Sequence, residues 1–162
     1  MKRKRVLVPP MLTSLIQTGM ASMDGREFTD HGPCPGCGGE VSGYDMREKF
    51  FATVMDAGVT RDIHVRVKRF KCRSCGKLCY ARSPFYPGTR LGSPVVDLCV
   101  TFSRELPYNR VAEVLGAMGI MVDRGTVRNY ATIDVGSVPA TELFGFRLPL
   151  SVLSFALQGL GF

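Results

Sequence analysis

Cys34-Pro35-Gly36-Cys37-Gly38 and Cys72-Arg73-Ser74-Cys75-Gly76 are two copies of one short design in a chain of 162 residues. Two residues between cysteines allow a tight turn to bring both sulfurs onto one metal ion. The glycine that follows relieves a crowded backbone and leaves amides free to donate to thiolate sulfur. Two such turns supply four thiolates, the full set of a closed tetrahedral zinc site, and a site with no open position does not activate water. The expected cofactor is therefore one structural Zn2+ held by Cys34, Cys37, Cys72 and Cys75, with iron in the same four-sulfur geometry as the alternative. Gly38 to Lys71 is long enough for a hairpin or a three-stranded sheet, which the metal holds together where the apolar core is too small to fold alone. His31, three residues before Cys34, is a further ligand type beside four better ones. Cys79 alternates with apolar neighbours and reads as strand core, and Cys99 lies on the apolar face of a helix.

Disulfides among these cysteines would require an oxidising compartment. The start Met1-Lys2-Arg3-Lys4-Arg5 followed by Val6-Leu7-Val8 has the opening of a secretory signal, but Pro9-Pro10, Thr13, Ser14 and Gln17 interrupt the apolar run. Nothing later supplies about 18 consecutive apolar residues, so no membrane span is expected. The expected localisation is cytoplasmic, where paired cysteines signify metal.

Between the knuckles, Ile63, Val65 and Val67 alternate with His64, Arg66 and Lys68, which makes Arg61 to Phe70 a strand with one apolar and one basic face. Phe70 breaks the alternation and signals a bulge or a strand end just before Cys72. Glu48 to Met55 is the antiparallel partner, turned by Asp56-Ala57-Gly58. Leu78 to Ala81 adds a short third strand. The link Ser83-Pro84-Phe85-Tyr86-Pro87-Gly88 leads into a helical zone. There Ser93-Pro94 reads as an N-cap and a first-turn proline for a helix running to Leu106 and stopped by Pro107. A second helix covers Asn109 to Met118, with Gly119 as a left-handed C-terminal cap. A third is capped by Asp123 and runs to Ala131.

Charge is uneven along the chain. The formal net charge is +7 and the pI about 9.3. Arg61 to Arg90 alone holds nine basic residues against the single acid Asp62, a larger surplus than that of the whole chain. Arg66, Lys68, Arg69, Lys71, Arg73 and Lys77 are expected to crowd around the second knuckle with no compensating acids. On a compact sheet they form a positive ridge able to bind phosphates and release counterions. Helix, tight turn, helix over Asn109 to Ala131 is the helix-turn-helix pattern, whose second member enters the major groove. Its outward residues are Arg124, Thr126, Arg128 and Asn129; arginine and asparagine read guanine and adenine edges through paired hydrogen bonds. An ordinary helical hairpin packed on the ribbon accounts for the same apolar spacing.

The order Cys-Pro-x-Cys-Gly, then Arg69-Phe70-Lys71-Cys72-Arg73-Ser74-Cys75-Gly76, then Gly119-Ile120-Met121-Val122-Asp123-Arg124-Gly125-Thr126-Val127-Arg128 is similar to insertion-sequence transposases. The resemblance covers residues 30–132. It implies an N-terminal zinc ribbon joined to a helix-turn-helix that binds the terminal inverted repeats of the element. Such transposases cut DNA with a carboxylate triad on a downstream domain, a chemistry that needs several convergent acids on a substantial sheet. After Tyr130 this chain offers only Asp134 and Glu142, so the resemblance implies the DNA-binding portion of a truncated or split transposase and no enzyme.

The expected fold class is thus α+β, a small antiparallel β zinc ribbon followed by a three-helix helix-turn-helix-like unit. Its expected parts are an irregular leader at 1–33, with one short helix around Leu12 to Met20, a ribbon at 34–90, a helical domain at 91–132 and an apolar tail at 133–162. The tail reads as the start of a missing domain, a dimer-forming segment or a helix completing the core. The expected partner is double-stranded DNA, with a second copy or a catalytic transposase as protein partner. A transcription regulator of the same build, and a zinc-ribbon module binding RNA or acidic protein, are the alternative functions.

Overall fold

The alternation around Ile63 becomes the middle of a long hairpin. The computed structural model describes residues 7–159; the basic start Met1 to Arg5 and residues 160–162 lie outside them. The elements run α1 (Pro10–Ala21), β1 (Glu27–Phe28), β2 (Val41–Asp56), β3 (Val59–Cys72), β4 (Leu78–Tyr80), α2 (Ser93–Ser103), α3 (Tyr108–Ala117), α4 (Arg124–Ala131), β5 (Ala140–Leu143), β6 (Phe146–Pro149) and α5 (Leu150–Gly159). The fold is mixed α+β, with five helices and two sheets among the described residues.

β3 is the centre of the larger sheet. β2 pairs along one edge, while β1 (parallel) and β4 (antiparallel) share the other. The hairpin turns through Ala57 (φ 49°) and Gly58 (φ 79°), the two positive φ values that a two-residue turn matching strand twist demands. The partner strand begins at Val41, seven residues before the expected Glu48. Period-two alternation fails in that first half because Tyr44 is an extra residue, bulged between Gly43 (opposite Phe70) and Asp45 (opposite Arg69). The irregularity signalled by Phe70 therefore sits across the ladder in β2, and β3 runs on to Cys72. A second bulge falls at Phe51, between Phe50 and Ala52. Phe51 is fully buried, and its carbonyl accepts a hydrogen bond from the Gly92 amide (2.8 Å) just before α2.

α2 is the central helix, with Val95, Val96, Leu98 and Cys99 fully buried, and it packs against α3, α4, α5 and β6. The expectation that Ser93 caps it shifts by one residue. Gly92 is the N-cap, no side chain bonds there, and the Ser93 amide donates instead to Pro84 O (2.7 Å). The helix closes at Ser103 rather than Leu106: the Glu105 amide tightens onto the carbonyl three residues back, Phe102 O (3.2 Å), which also takes the last four-residue bond from Leu106 (3.0 Å) before Pro107 is reached. α3 ends in a Schellman motif: Ile120 N–H donates to Leu115 O (2.9 Å), Gly119 N–H to Gly116 O (3.0 Å), and Gly119 holds φ 90°. At α4 the Asp123 carboxylate accepts from the Thr126 amide at 2.7 Å, as an N-cap should.

Both ends of the described chain join this core. One hydrophobic cluster contains Leu12, Ile16 and Met20 from α1, Ile63, Val65 and Val67 from β3, residues of α2, α3 and α4, and Leu148 and Val152 from the tail. The tail forms a β5–β6 hairpin, turned by Phe144 and Gly145, and then α5, which lies against α1. That contact depends on Gly19. A β-carbon there would fall 2.6 Å from the Ala156 Cα, inside the opposing backbone.

Gly19→Ala should force α1 and α5 apart and cost about 1–3 kcal/mol by overpacking. A thermal melt compared with that of Gly116→Ala checks this, since a β-carbon at Gly116 meets nothing within 4 Å.

Candidate metal centre and basic surface

The two knuckles fold alike because their backbone bonds repeat. Cys34 N–H donates to Gly39 O (2.9 Å) and Gly38 N–H to Cys34 O (2.8 Å). Cys72 N–H donates to Lys77 O (2.9 Å) and Gly76 N–H to Cys72 O (3.1 Å). Gly38 (φ 72°) and Gly76 (φ 74°) take the left-handed conformation that lets each chain reverse. The first knuckle lies between β1 and β2 and the second between β3 and β4, so both stand at the open end of the hairpin.

The ligand atoms of Cys34, Cys37, Cys72 and Cys75 all lie within 4.8 Å of one another. Cys37 and Cys72 are 3.4 Å apart and Cys34 and Cys75 3.7 Å apart. Four thiolates at a zinc–sulfur distance of about 2.3 Å stand about 3.8 Å apart at tetrahedral corners, so the sulfur cage fits that ion. Cys34 and Cys72 are buried, Cys37 and Cys75 exposed. The amides of Ser74 (3.4 Å) and Cys75 (3.5 Å) point at the Cys72 sulfur. The structure thus presents four cysteines able to hold one metal ion, consistent with one structural zinc.

Electrostatics make the cage ill-suited to being empty. The Cys75 amide, with that of Ser74 and the neighbouring sulfurs, brings the Cys72 thiol down to about 6. For Cys37 the Gly39 amide acts downward, but the Cys72 and Cys75 sulfurs outweigh it and the thiol is pushed up to about 12. Cys34 is lowered, chiefly by the Cys37 and Gly36 amides. Without a cation, ionising one sulfur holds the proton on another; a divalent ion removes that conflict. Gly39 completes the site. A β-carbon there would lie 2.8 Å from Ser74 Oγ, 3.0 Å from Cys72 Sγ and 3.1 Å from Cys37 Sγ. The doublet Gly38-Gly39 is the sequence signal for it. Its first member supplies the positive φ, and its second lets the backbone approach the sulfurs.

Other polar candidates fall elsewhere. His31 stacks on Phe70 with ring centroids 4.3 Å apart and is outside the sulfur group. Cys79 pairs with Phe70 in the sheet, its thiol raised first by burial and then by the neighbouring sulfurs. Cys99 is fully buried in α2, where burial pushes its thiol up to about 12.

The basic ridge is less free than its local sequence implies. Arg69 is mostly buried and makes a two-pronged pair with Asp45, Nε to Oδ1 at 2.6 Å. The Asp45 hydrogen bond holds the arginine above its usual range, and the same contact depresses the carboxyl. Arg66 pairs with Glu27 of β1 at 2.8 Å. The expectation of a ridge without compensating acids is thereby corrected: the acids arrive from neighbouring strands. Lys68 is half-buried, its stem against Gly43 and its ammonium 5.4 Å from the Phe70 ring. Lys71, Arg73 and Lys77 are exposed, and Lys77 lies over Gly36 of the first knuckle.

On α4, Arg124, Arg128 and Asn129 are exposed, while Thr126 is half-buried. Val127 and Tyr130 anchor the inner face, and the Tyr130 hydroxyl accepts from the Arg90 (3.1 Å) and Leu91 (3.3 Å) amides. The α3–α4 connection is fixed from outside the helices. Met55 N–H donates to Gly119 O (2.8 Å), Met121 N–H to Thr53 O (2.9 Å), and Ile120 bridges Val54. Among the described residues no helix is long and apolar enough to cross a membrane.

No known protein family, curated protein or solved structure matches this chain.

Metal uptake must displace protons from these thiols, so affinity for zinc should fall as pH is lowered, and the fall should steepen below about 6, where the Cys72 thiol is itself protonated. In the metal-free protein the depressed Cys72 value contributes stability above the ordinary thiol range, and this is lost as pH falls through about 6. Competition with a chromophoric chelator across pH 5–8 measures the first effect. Elemental analysis should find one zinc per chain, and none in Cys34→Ser/Cys72→Ser.

Proposed function

We propose that this protein is a zinc-dependent DNA-binding module of transposase type, a zinc ribbon with an attached helix-turn-helix that holds element ends. The metal acts as a staple and the protein itself carries no catalytic step; cutting and joining fall to a partner. The observation that carries the reading is α4. It is anchored on one side by Val127 and Tyr130 and leaves Arg124, Arg128 and Asn129 free in solvent on the other. Those side-chain types match base edges in a major groove. The connection from α3 is tied to β2, so the helix is carried rigidly, which direct readout requires.

The sheet contributes phosphate contacts through the residues with free charge. Lys71, Arg73 and Lys77 serve here, with Lys68 half-available, whereas Arg66 and Arg69 hold their own acids and position the strand. Phosphate contacts set register and affinity without reading sequence. The net charge of +7 supplies the long-range attraction.

Duplex binding should weaken steeply as salt rises, with a log–log slope close to the number of phosphates neutralised. Arg124→Ala and Arg128→Ala should each cost about 1–3 kcal/mol on the preferred sequence and much less on random duplex. Lys71→Ala should weaken both duplexes equally and lower the salt slope by about one. Fluorescence anisotropy at several salt concentrations reads all three. Weak binding that ignores salt would overturn the function.

A further inference from the structure

Tyr44, Arg69 and Tyr80 stand side by side on three adjacent strands, β2, β3 and β4. Tyr44 is the residue that the β2 bulge inserts, and bulges re-aim side chains. Tyr80 lies directly opposite Arg69. Both tyrosines are more than half exposed, at 56% and 53%. Two strand spacings of about 4.8 Å separate them, too far for the rings to cover each other. Each ring has a cation near one face: the Arg69 guanidinium is 5.3 Å from the Tyr44 centroid and the Lys49 ammonium 5.0 Å from that of Tyr80. Those contacts leave area open on each ring. Arg69 is neutralised by Asp45, so the middle of the patch is a fixed, uncharged floor. Beside it, Lys71 is exposed, and so is Arg47, whose Nε lies 3.9 Å from the Asp45 carboxylate already held closely by Arg69.

We propose that this face is a stacking platform on which Tyr44 and Tyr80 each receive an unpaired nucleobase of a DNA strand, while Arg47 and Lys71 take its phosphates. Aromatic rings interleaved with exposed cations are the chemistry that single strands require, because every base has a π-face and every nucleotide a charge. A duplex keeps its bases stacked on each other and has nothing to offer the tyrosines. The platform therefore adds a second, distinct mode to the nucleic-acid reading above, on which it rests: duplex bases read at α4, unpaired bases received at the tyrosines of the sheet.

The chain has five tyrosines and no tryptophan, so intrinsic fluorescence is tyrosine emission. The zinc-loaded full chain, titrated with oligo-dT, should lose part of that emission, and Tyr44→Ala and Tyr80→Ala should each reduce both the quenching and the affinity, by roughly tenfold per ring. Tyr44→Phe and Tyr80→Phe should retain the affinity, which separates stacking from a hydroxyl contact. Duplex affinity should stay within twofold in all four variants, and unchanged zinc content certifies their fold. Equal oligo-dT affinity of the parent and the alanine double variant overturns the platform; if Arg124→Ala still weakens duplex binding, the DNA-binding function survives that result. Tyrosine-dependent oligo-dT binding in a protein indifferent to duplex supports the platform and overturns the duplex reading. Tighter binding of oligo-U than of oligo-dT overturns the assignment to DNA.

Discussion

The ladder between Val41–Asp56 and Val59–Cys72 has one stretch against the helices and one end at the sulfurs, so its register is constrained twice. A slip by one residue would turn Ile63, Val65 and Val67 into water and would also separate the knuckles. A hairpin alone is marginal in water. Here the core holds the half near the turn, where Ile63 faces Ala52, and the sulfur cage holds the other. Neither substitutes for the other, because burial is non-directional while the cage demands a single arrangement of four atoms.

The same ladder decides which charges are available. Cross-strand pairing brings Asp45 opposite Arg69 and Glu27 opposite Arg66, and both arginines are thereby committed. Free positive charge moves outward to the knuckle residues Arg73 and Lys77, to Lys71 and to α4. A strongly basic stretch of chain becomes a surface with a neutral floor and charged margins. On the proposed platform, that pattern would suit a ligand with both an apolar face and an anionic backbone.

Much of this was legible in the residues, and what was not has physical causes. The sulfur cage follows from spacing over four residues, and the hairpin turn and the Asp123 cap are equally local, so each could be read from its own neighbourhood. The ion pairs could not, because Glu27 and Asp45 lie 39 and 24 positions from their arginines and only the ladder brings them close. The first half of β2 was hidden by the bulge at Tyr44, which breaks the alternation that marks a strand. β1 is two residues long and carries no periodicity at all. The packing of α1 on α5 depends on Gly19 meeting the backbone at Ala156, a contact between opposite ends of the chain that no local pattern announces.

The stitching of the α3–α4 connection to β2 also changes how the molecule behaves toward its own copies. β2 has β3 on only one side, and an open strand edge is a template for pairing with another chain. Between Phe51 and Met55 that edge is already taken. Gly92 bonds Phe51, Met121 bonds Thr53, the Met55 amide donates to Gly119, and the Gln17 side chain donates to the Met55 carbonyl. Further along, the bulge at Tyr44 and the charges of Asp45, Arg47, Glu48 and Lys49 interrupt what would otherwise be a flat apolar border. The helices thus shield the most apolar part of a sixteen-residue edge from edge-to-edge aggregation.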